Sequence, residues 1–337
     1  MLHAVILAGG KGTRFWPLSR SRKGKQFLSI IGKESLLEQT IDRIKPLVKP
    51  QNIWIVGVKD QAKHFARIKK QYGCHVLYEP VGRNTAASIG WVACEILNTD
   101  PDAVMVVLPS DHSVKGIPQF RHIIREAEKQ ARKDKLVTIG IVPTFPHTGF
   151  GYIEVSNNKA TPAQVLAFHE KPKHDVAQKY IQSGHYFWNS GMFVWKVDTF
   201  LKLLKKHLPK SYAILSNKAK LKSRFAQLEN ISVDYAILEK SADSTVMFKA
   251  DFEWNDLGSW LALKDFWPAD SQRNITKGKK ILLNSKNNII FSNRRLVALI
   301  DVQDFIVVDH EDALLIVPKA SDQKIKDLYG ILPKKYQ

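Results

Sequence analysis

Cysteine is nearly absent: Cys74 and Cys94 are the only two in 337 residues. They have no metal-ligand spacing, which excludes a disulfide scaffold and a structural zinc site and leaves two reduced thiols inside regular segments. Long hydrophobic runs are missing too. No stretch approaches the roughly 18 uncharged apolar residues that a membrane helix needs, and no charged region precedes the apolar start of the chain. Residues 4–8 therefore read as a core strand, and a cytosolic location with no membrane partner is expected. There is no Ser/Pro/Gly-rich linker, and acidic residues are in deficit, 32 against 51 basic, for a net charge of +19. The basic residues are spread along the chain, as with Lys202, Lys205, Lys206 and Lys210 on one helical stretch. They do not gather with aromatics into a stacking platform, so a solvated basic surface is expected rather than a nucleic-acid partner.

What is present is an ordinary globular composition, 44% hydrophobic and 25% charged, in a chain long enough for one large core or two domains. Up to about residue 141, apolar runs (4–8, 53–58, 76–78, 104–108, 136–141) alternate with amphipathic stretches (35–47, 60–72, 85–97, 117–133). Continuous apolar strands separated by helices predict an α/β fold with a mostly parallel sheet covered on both faces. Shorter strands with mixed connections to about residue 270 should continue that sheet. After Asp270, short β-like runs at nearly even spacing predict a small β module closed by a helix over 322–329. The expected domains are thus 1–270 and 271–337, with packing or subunit contact as the role of the second.

Ligands bind at the carboxyl ends of strands in such sheets, and three polar stretches fall there. The first strand runs into Gly9, Gly10 and Gly12, whose bare backbone N–H groups can approach phosphate oxygens. Lys11, Arg14 and Lys25 follow, Arg as a planar fork and Lys as a mobile charge. Neither the GxxxxGK[ST] nor the GxGxxG pattern is met, because Phe15 stands where the third glycine belongs. Glu79 to Thr85 follows the third strand, and Ser110-Asp111-His112 the fourth. Asp111 and Asp256 stand out as carboxylates that could share one Mg²⁺, an ion often held by one or two carboxylates plus substrate phosphates.

Taken together, Ala8-Gly9-Gly10-Lys11-Gly12-Thr13-Arg14-Phe15-Trp16-Pro17-Leu18-Ser19-Arg20 with Lys25-Gln26-Phe27 resembles the signature of the sugar-1-phosphate nucleotidyltransferases, in the version found in mannose-1-phosphate guanylyltransferases. Glu79-Pro80, Gly82-Arg83-Asn84-Thr85-Ala86, Leu108-Pro109-Ser110-Asp111-His112, Gly149-Phe150-Gly151-Tyr152, Glu170-Lys171-Pro172, Trp188-Asn189-Ser190-Gly191 and Trp254-Asn255-Asp256-Leu257-Gly258-Ser259-Trp260 follow in family order, so the resemblance covers about residues 3–318. It implies a Rossmann-like mixed sheet, the nucleotide-diphospho-sugar transferase fold, with a β-helix-like C-terminal module through which a homodimer could form. It also implies transfer of GMP from GTP to mannose 1-phosphate, giving GDP-mannose and pyrophosphate with Mg²⁺. On matching positions, Arg14, Lys25 and Asp111 would be catalytic, and Asp111 with Asp256 would hold the metal. Leu7, Ala8, Gly9, Gly10, Gly12, Thr13, Glu79, Gly82, Asn84, Thr85 and Ser110 would bind the nucleotide. Gly151, Glu170, Lys171 and Asn189 would bind the sugar phosphate, while Trp188, Met192 and Phe193 read as core. Three positions depart from the family pattern: Gly24 where proline usually precedes the lysine, Phe150 where tyrosine is common and Ala87 where proline is. The longer relatives carry a cupin-like phosphomannose isomerase domain that this sequence lacks, which argues against that second activity. Another sugar such as a heptose or fucose, a silent regulatory homologue and a basic nucleic-acid-binding protein are the competing readings.

Overall fold

The computed structural model describes all 337 residues. In chain order the strands are β1 (Leu2–Ala8), β2 (Ile53–Val58), β3 (His75–Glu79), β4 (Val104–Pro109), β5 (Ser113–Lys115), β6 (Leu136–Ile141), β7 (Tyr152–Val155), β8 (Ala163–His169), β9 (Tyr186–Lys196), β10 (Thr245–Lys249), β11 (Glu253–Asn255), β12 (Ile275–Lys277), β13 (Lys280–Leu283), β14 (Ile289–Ser292), β15 (Val297–Ile300), β16 (Phe305–His310) and β17 (Ala313–Pro318). The helices are α1 (Leu36–Ile44), α2 (Ala62–Tyr72), α3 (Asn84–Leu97), α4 (Ile117–Ala131), α5 (His174–Ser183), α6 (Val197–His207), α7 (Pro209–Leu215), α8 (Lys218–Arg224) and α9 (Ile325–Ile331). None is long and apolar enough to cross a membrane. Both cysteines are free, and Cys74 lies in the connection before β3 rather than inside a regular segment.

The chain forms two compact units. The first comprises residues 1–9, 40–110 and 114–254. Its nine-stranded sheet has the order β3-β2-β1-β4-β9-β6-β10-β8-β7. The pairs β2–β3, β1–β2, β1–β4 and β6–β10 are parallel, while β9 runs antiparallel between β4 and β6. The expected mixed, mostly parallel sheet is therefore present, and the shorter strands after residue 141 do continue it. Ala4, Val5, Ile6 and Ala8 are buried, which is why β1 reads as an unbroken apolar run; each large aliphatic side chain so buried contributes about 1.5–3 kcal/mol. The order 3-2-1-4 means that the chain leaves β1 on one side and returns on the other, so the carboxyl end of β1 is the switch point where such sheets bind ligands.

The second unit comprises residues 10–39, 111–113 and 255–337. Its strands pair mainly in parallel, β12–β14–β16 in one sheet and β13–β15 in another, with β17 antiparallel to β16. Phe15 and Trp16 share its core with Trp260, Ile289, Ile306, Ile325 and Tyr329. The segment that follows the first glycines thus packs with the C-terminal strands because its aromatic pair belongs to their core. Ser35 and Glu38 form a reciprocal capping box at the start of α1: the Ser35 backbone N–H donates to the Glu38 carboxylate at 2.9 Å, and the Glu38 N–H donates to the Ser35 hydroxyl at 3.3 Å.

Candidate active site

In the second unit, Gly12 begins a 3-10 turn over Thr13–Phe15 with φ 62°. A Cβ there would lie 2.2 Å from the Lys25 Cβ, so Gly12 serves both the left-handed turn and the approach of the lysine. Lys25 is buried. Its Nζ is 2.8 Å from Asp111 Oδ2, donates to the Asp256 carbonyl oxygen at 2.7 Å and lies 5.9 Å above the Phe15 ring. Burial works against ionisation of Asp111, but Lys25 and His112 outweigh it and hold the carboxyl below its ordinary range. The Asp256 carboxylate accepts the Gly258 N–H at 3.1 Å.

A cavity of about 280 Å³ is lined by Gly12, Thr13, Arg14, Lys25, Asp111, His112 and Asp256, together with Lys326. The structure therefore gathers six residues expected from sequence around one space. Lys11 is exposed and does not line it. The Arg14 Nε is buried and has no acceptor, and the buried Asp322 has an oxygen with no donor. Burial pushes Asp322 up, against the pull of Ser259 and the Arg14 charge. The donor set suits a hard divalent cation: two carboxylates, Asp111 and Asp256, face the same cavity, and a Mg²⁺-like ion commonly takes its remaining ligands from phosphate and water.

In the first unit, the loop ends after β1, β3 and β4 carry the other residues expected on the nucleotide side. The Ser110 N–H donates to the Leu7 carbonyl at 3.1 Å; Ala8 and Ser110 are buried, and Gly9 and Gly82 are exposed, as is Gly10 at the start of the second unit. Glu79 is buried at the end of β3, where the Ser88 hydroxyl donates to it at 2.6 Å. Its other oxygen would lie 3.6 Å from a Cβ on Gly9. Burial raises the Glu79 pKa, opposed by Ser88. Asn84 starts α3 with φ 62° and accepts the Thr85 N–H at 2.9 Å. The Thr85 hydroxyl accepts the Val233 N–H at 2.9 Å, so its oxygen already has a structural task.

The residues expected on the sugar side are also together. A Cβ on Gly151 would stand 2.4 Å from Glu170 Oε1. The Gly151 carbonyl accepts the Asn189 N–H at 2.9 Å, and Lys171 Nζ reaches Glu170 Oε2 at 2.6 Å. The Asn189 amide donates to Asp234 Oδ1 at 2.7 Å and accepts the Gly191 N–H at 3.0 Å, two contacts that fix its orientation. Asp234 opens a π-helical turn, Asp234–Leu238, a device frequent at functional sites. Its burial, and then the Glu170 charge, push the carboxyl up. The sequence predicts a helix over the Val233-Asp234-Tyr235 stretch and gives Asp234 no role, so its contact with Asn189 was not foreseen; the signal was a lone acid in an apolar stretch. Trp188, Met192 and Phe193 are buried, as their core reading requires.

Residues 3–273 match the nucleotidyl transferase family, and residues 278–332 match the MannoseP isomerase/GMP-like β-helix domain. The chain is 38% identical to the mannose-1-phosphate guanylyltransferase of Escherichia coli over 97% of its own length and 73% of that protein's. It is 38% identical to the Klebsiella pneumoniae enzyme of that name at the same coverage. A crystal structure named as a mannose-1-phosphate geranyltransferase from Thermus thermophilus superposes with a TM-score of 0.89 at 31% identity, covering 98% of each chain. With a sheet switch point, a lysine–aspartate pair on a glycine turn and relatives of this extent, the chain belongs to the nucleotidyl transferase family and, within it, to the mannose-1-phosphate guanylyltransferases.

Proposed function

We propose that the protein transfers GMP from GTP to α-D-mannose 1-phosphate, releasing pyrophosphate and forming GDP-mannose. An oxygen of the sugar phosphate attacks the α-phosphorus in line with the departing pyrophosphate. That oxygen is already ionised, so no general base is required. Both reactants are anions, and the barrier falls mainly through positioning and neutralisation of charge. The Gly9, Gly10, Gly12 and Thr13 backbone cradles the triphosphate, Arg14 neutralises the β,γ-phosphates, and Lys25 neutralises the α-phosphate and the incoming phosphate. Asp111 and Asp256 would hold Mg²⁺, which supplies charge neutralisation and a template for the phosphates when bound. Leu7, Ala8, Glu79, Gly82, Asn84, Thr85 and Ser110 form the nucleotide side; Gly151, Glu170, Lys171 and Asn189 take the sugar phosphate.

The observation that carries this reading is the buried Lys25 ammonium, shared between the Asp111 carboxylate and the Asp256 carbonyl beside the Gly12 turn. In this reading residues 1–270 form the nucleotidyltransferase catalytic domain and residues 271–337 a small β-helix-like domain with a terminal helix. That module joins two copies of the chain; nucleic acid is not a partner, and the protein works in the cytoplasm.

The test is pyrophosphate release across a panel of nucleoside triphosphates and sugar 1-phosphates, with Mg²⁺ and without. GTP with mannose 1-phosphate should be the best pair and should need the metal. Asp111→Asn and Lys25→Ala should each lose about 10²-fold or more in rate. A better heptose or fucose 1-phosphate would overturn the sugar assignment. No turnover with any pair, alongside tight salt-sensitive binding to random DNA, would overturn the reaction itself.

A further inference from the structure

The sequence predicts only packing or subunit contact for the C-terminal segment, yet one of its lysines lines the phosphate cavity. Lys326 lies on α9, and the same cavity is lined by Arg14, Lys25, Asp111 and Asp256. It does so from a fixed base. Ile325 and Tyr329, on either side of it, are buried in the core that holds Phe15 and Trp16, and α9 packs directly on the Thr13–Phe15 turn. One helical turn earlier, the buried Asp322 faces the Arg14 charge and the Ser259 side chain. The helix that presents Lys326 is thus tied to the turn that presents Arg14.

The charges explain what such a lysine could serve. Lys25 is already paired with Asp111 at 2.8 Å, and Asp256 adds a second negative charge to the lining. Lys326 has no ion pair or hydrogen bond within the chain, so its charge is uncommitted. A cavity with one paired lysine, one arginine and one free lysine fits an anion carrying several charges at neighbouring oxygens, and lysine meets phosphate as a mobile point charge.

We propose that Lys326 binds the β,γ-phosphates of the nucleotide and the pyrophosphate derived from them, so that the terminal helix is a working part of the transfer site. This rests on the reaction assigned above. The experiment compares the full chain with Lys326→Ala and Lys326→Arg in both directions of the reaction. Lys326→Ala should raise KM for GTP, and for pyrophosphate in the reverse direction, about tenfold, as expected for loss of a hydrogen bond to a charged partner. KM for mannose 1-phosphate should stay unchanged, Lys326→Arg should recover most of the loss, and the melting temperature should not move. Unchanged KM for GTP and pyrophosphate would overturn the assignment. So would an equal rise for both substrates with a lowered melting temperature, which marks a structural role. If the unaltered protein turns over no pair of substrates, the reaction fails instead. Lys326 is then decided by calorimetric binding of pyrophosphate, expected about tenfold weaker in Lys326→Ala and overturned by equal affinity.

Discussion

At the scale of single residues, two glycines near Lys25 lead to opposite outcomes. Gly12 combines φ 62° with a Cβ position 2.2 Å from the Lys25 Cβ. In Gly12→Ala a left-handed turn with a side chain costs about 1–2 kcal/mol, and relief of the contact must displace Lys25 from Asp111 and Asp256. The rate should therefore fall about as far as in Lys25→Ala, roughly 10²-fold, while the protein stays folded; initial-rate assays and circular dichroism on the same sample decide it. Gly24 is the reverse case. Its backbone sits at φ −65°, ψ 166°, values that proline adopts unaided, and Lys23 before it forms an isolated antiparallel bridge with Arg20. The missing proline is thus a loss of chain stiffness, with the geometry unchanged. Gly24→Pro should stabilise by about 0.4–1 kcal/mol, read as a higher denaturant midpoint at constant slope; a lowered midpoint would show that the ring has no room.

At the scale of elements, legibility in the sequence followed burial. Strands β1, β2, β4 and β6 are covered on both faces, so each appears as an apolar run flanked by amphipathic helices, and the motifs follow β1 and β4 among these and the less buried β3. Less legible was β9, an 11-residue strand that inserts antiparallel between β4 and β6; its neighbours lie far off in sequence, and no local pattern encodes pairing. The π-helical turn at Asp234 was equally hidden, because one extra residue per turn leaves little mark on periodicity. Its consequence is chemical. Asp234 aims the Asn189 amide through the 2.7 Å contact without being required to touch substrate itself, which makes it a positioning residue. Asp234→Ala frees that amide and should raise KM for mannose 1-phosphate about tenfold with KM for GTP unchanged. Asp234→Asn, which keeps the acceptor, should restore much of it. A change confined to kcat, or equal for both substrates, would remove Asp234 from the sugar side.

At the scale of the whole molecule, the +19 charge and the exposed apolar side chains call for different partners. Lys202, Lys205, Lys206 and Lys210 are all exposed, a solvated surface that keeps the protein dispersed and favours anionic substrates. The C-terminal strands carry the contrary signal. Leu283 and Ile300 are direct neighbours across β13 and β15, exposed by 55% and 64%, and Ile281 on the same strand as Leu283 is exposed by 61%. On β17, Leu314 and Ile316 alternate outward in the same way. Ile281, Leu283 and Ile300 make an exposed apolar patch on the β13–β15 sheet, with a second pair, Leu314 and Ile316, on the separate sheet that holds β17, and patches of this kind mark association surfaces. A second copy of the chain would cover it with the same strands in a self-complementary contact and no new chemistry. Unaltered protein should sediment as a dimer at micromolar concentration. The double variant Leu283→Glu with Ile300→Glu should sediment as a monomer with its melting behaviour retained, since both side chains already face solvent within one copy. A monomer before substitution, at every concentration tried, would leave the patch without this partner.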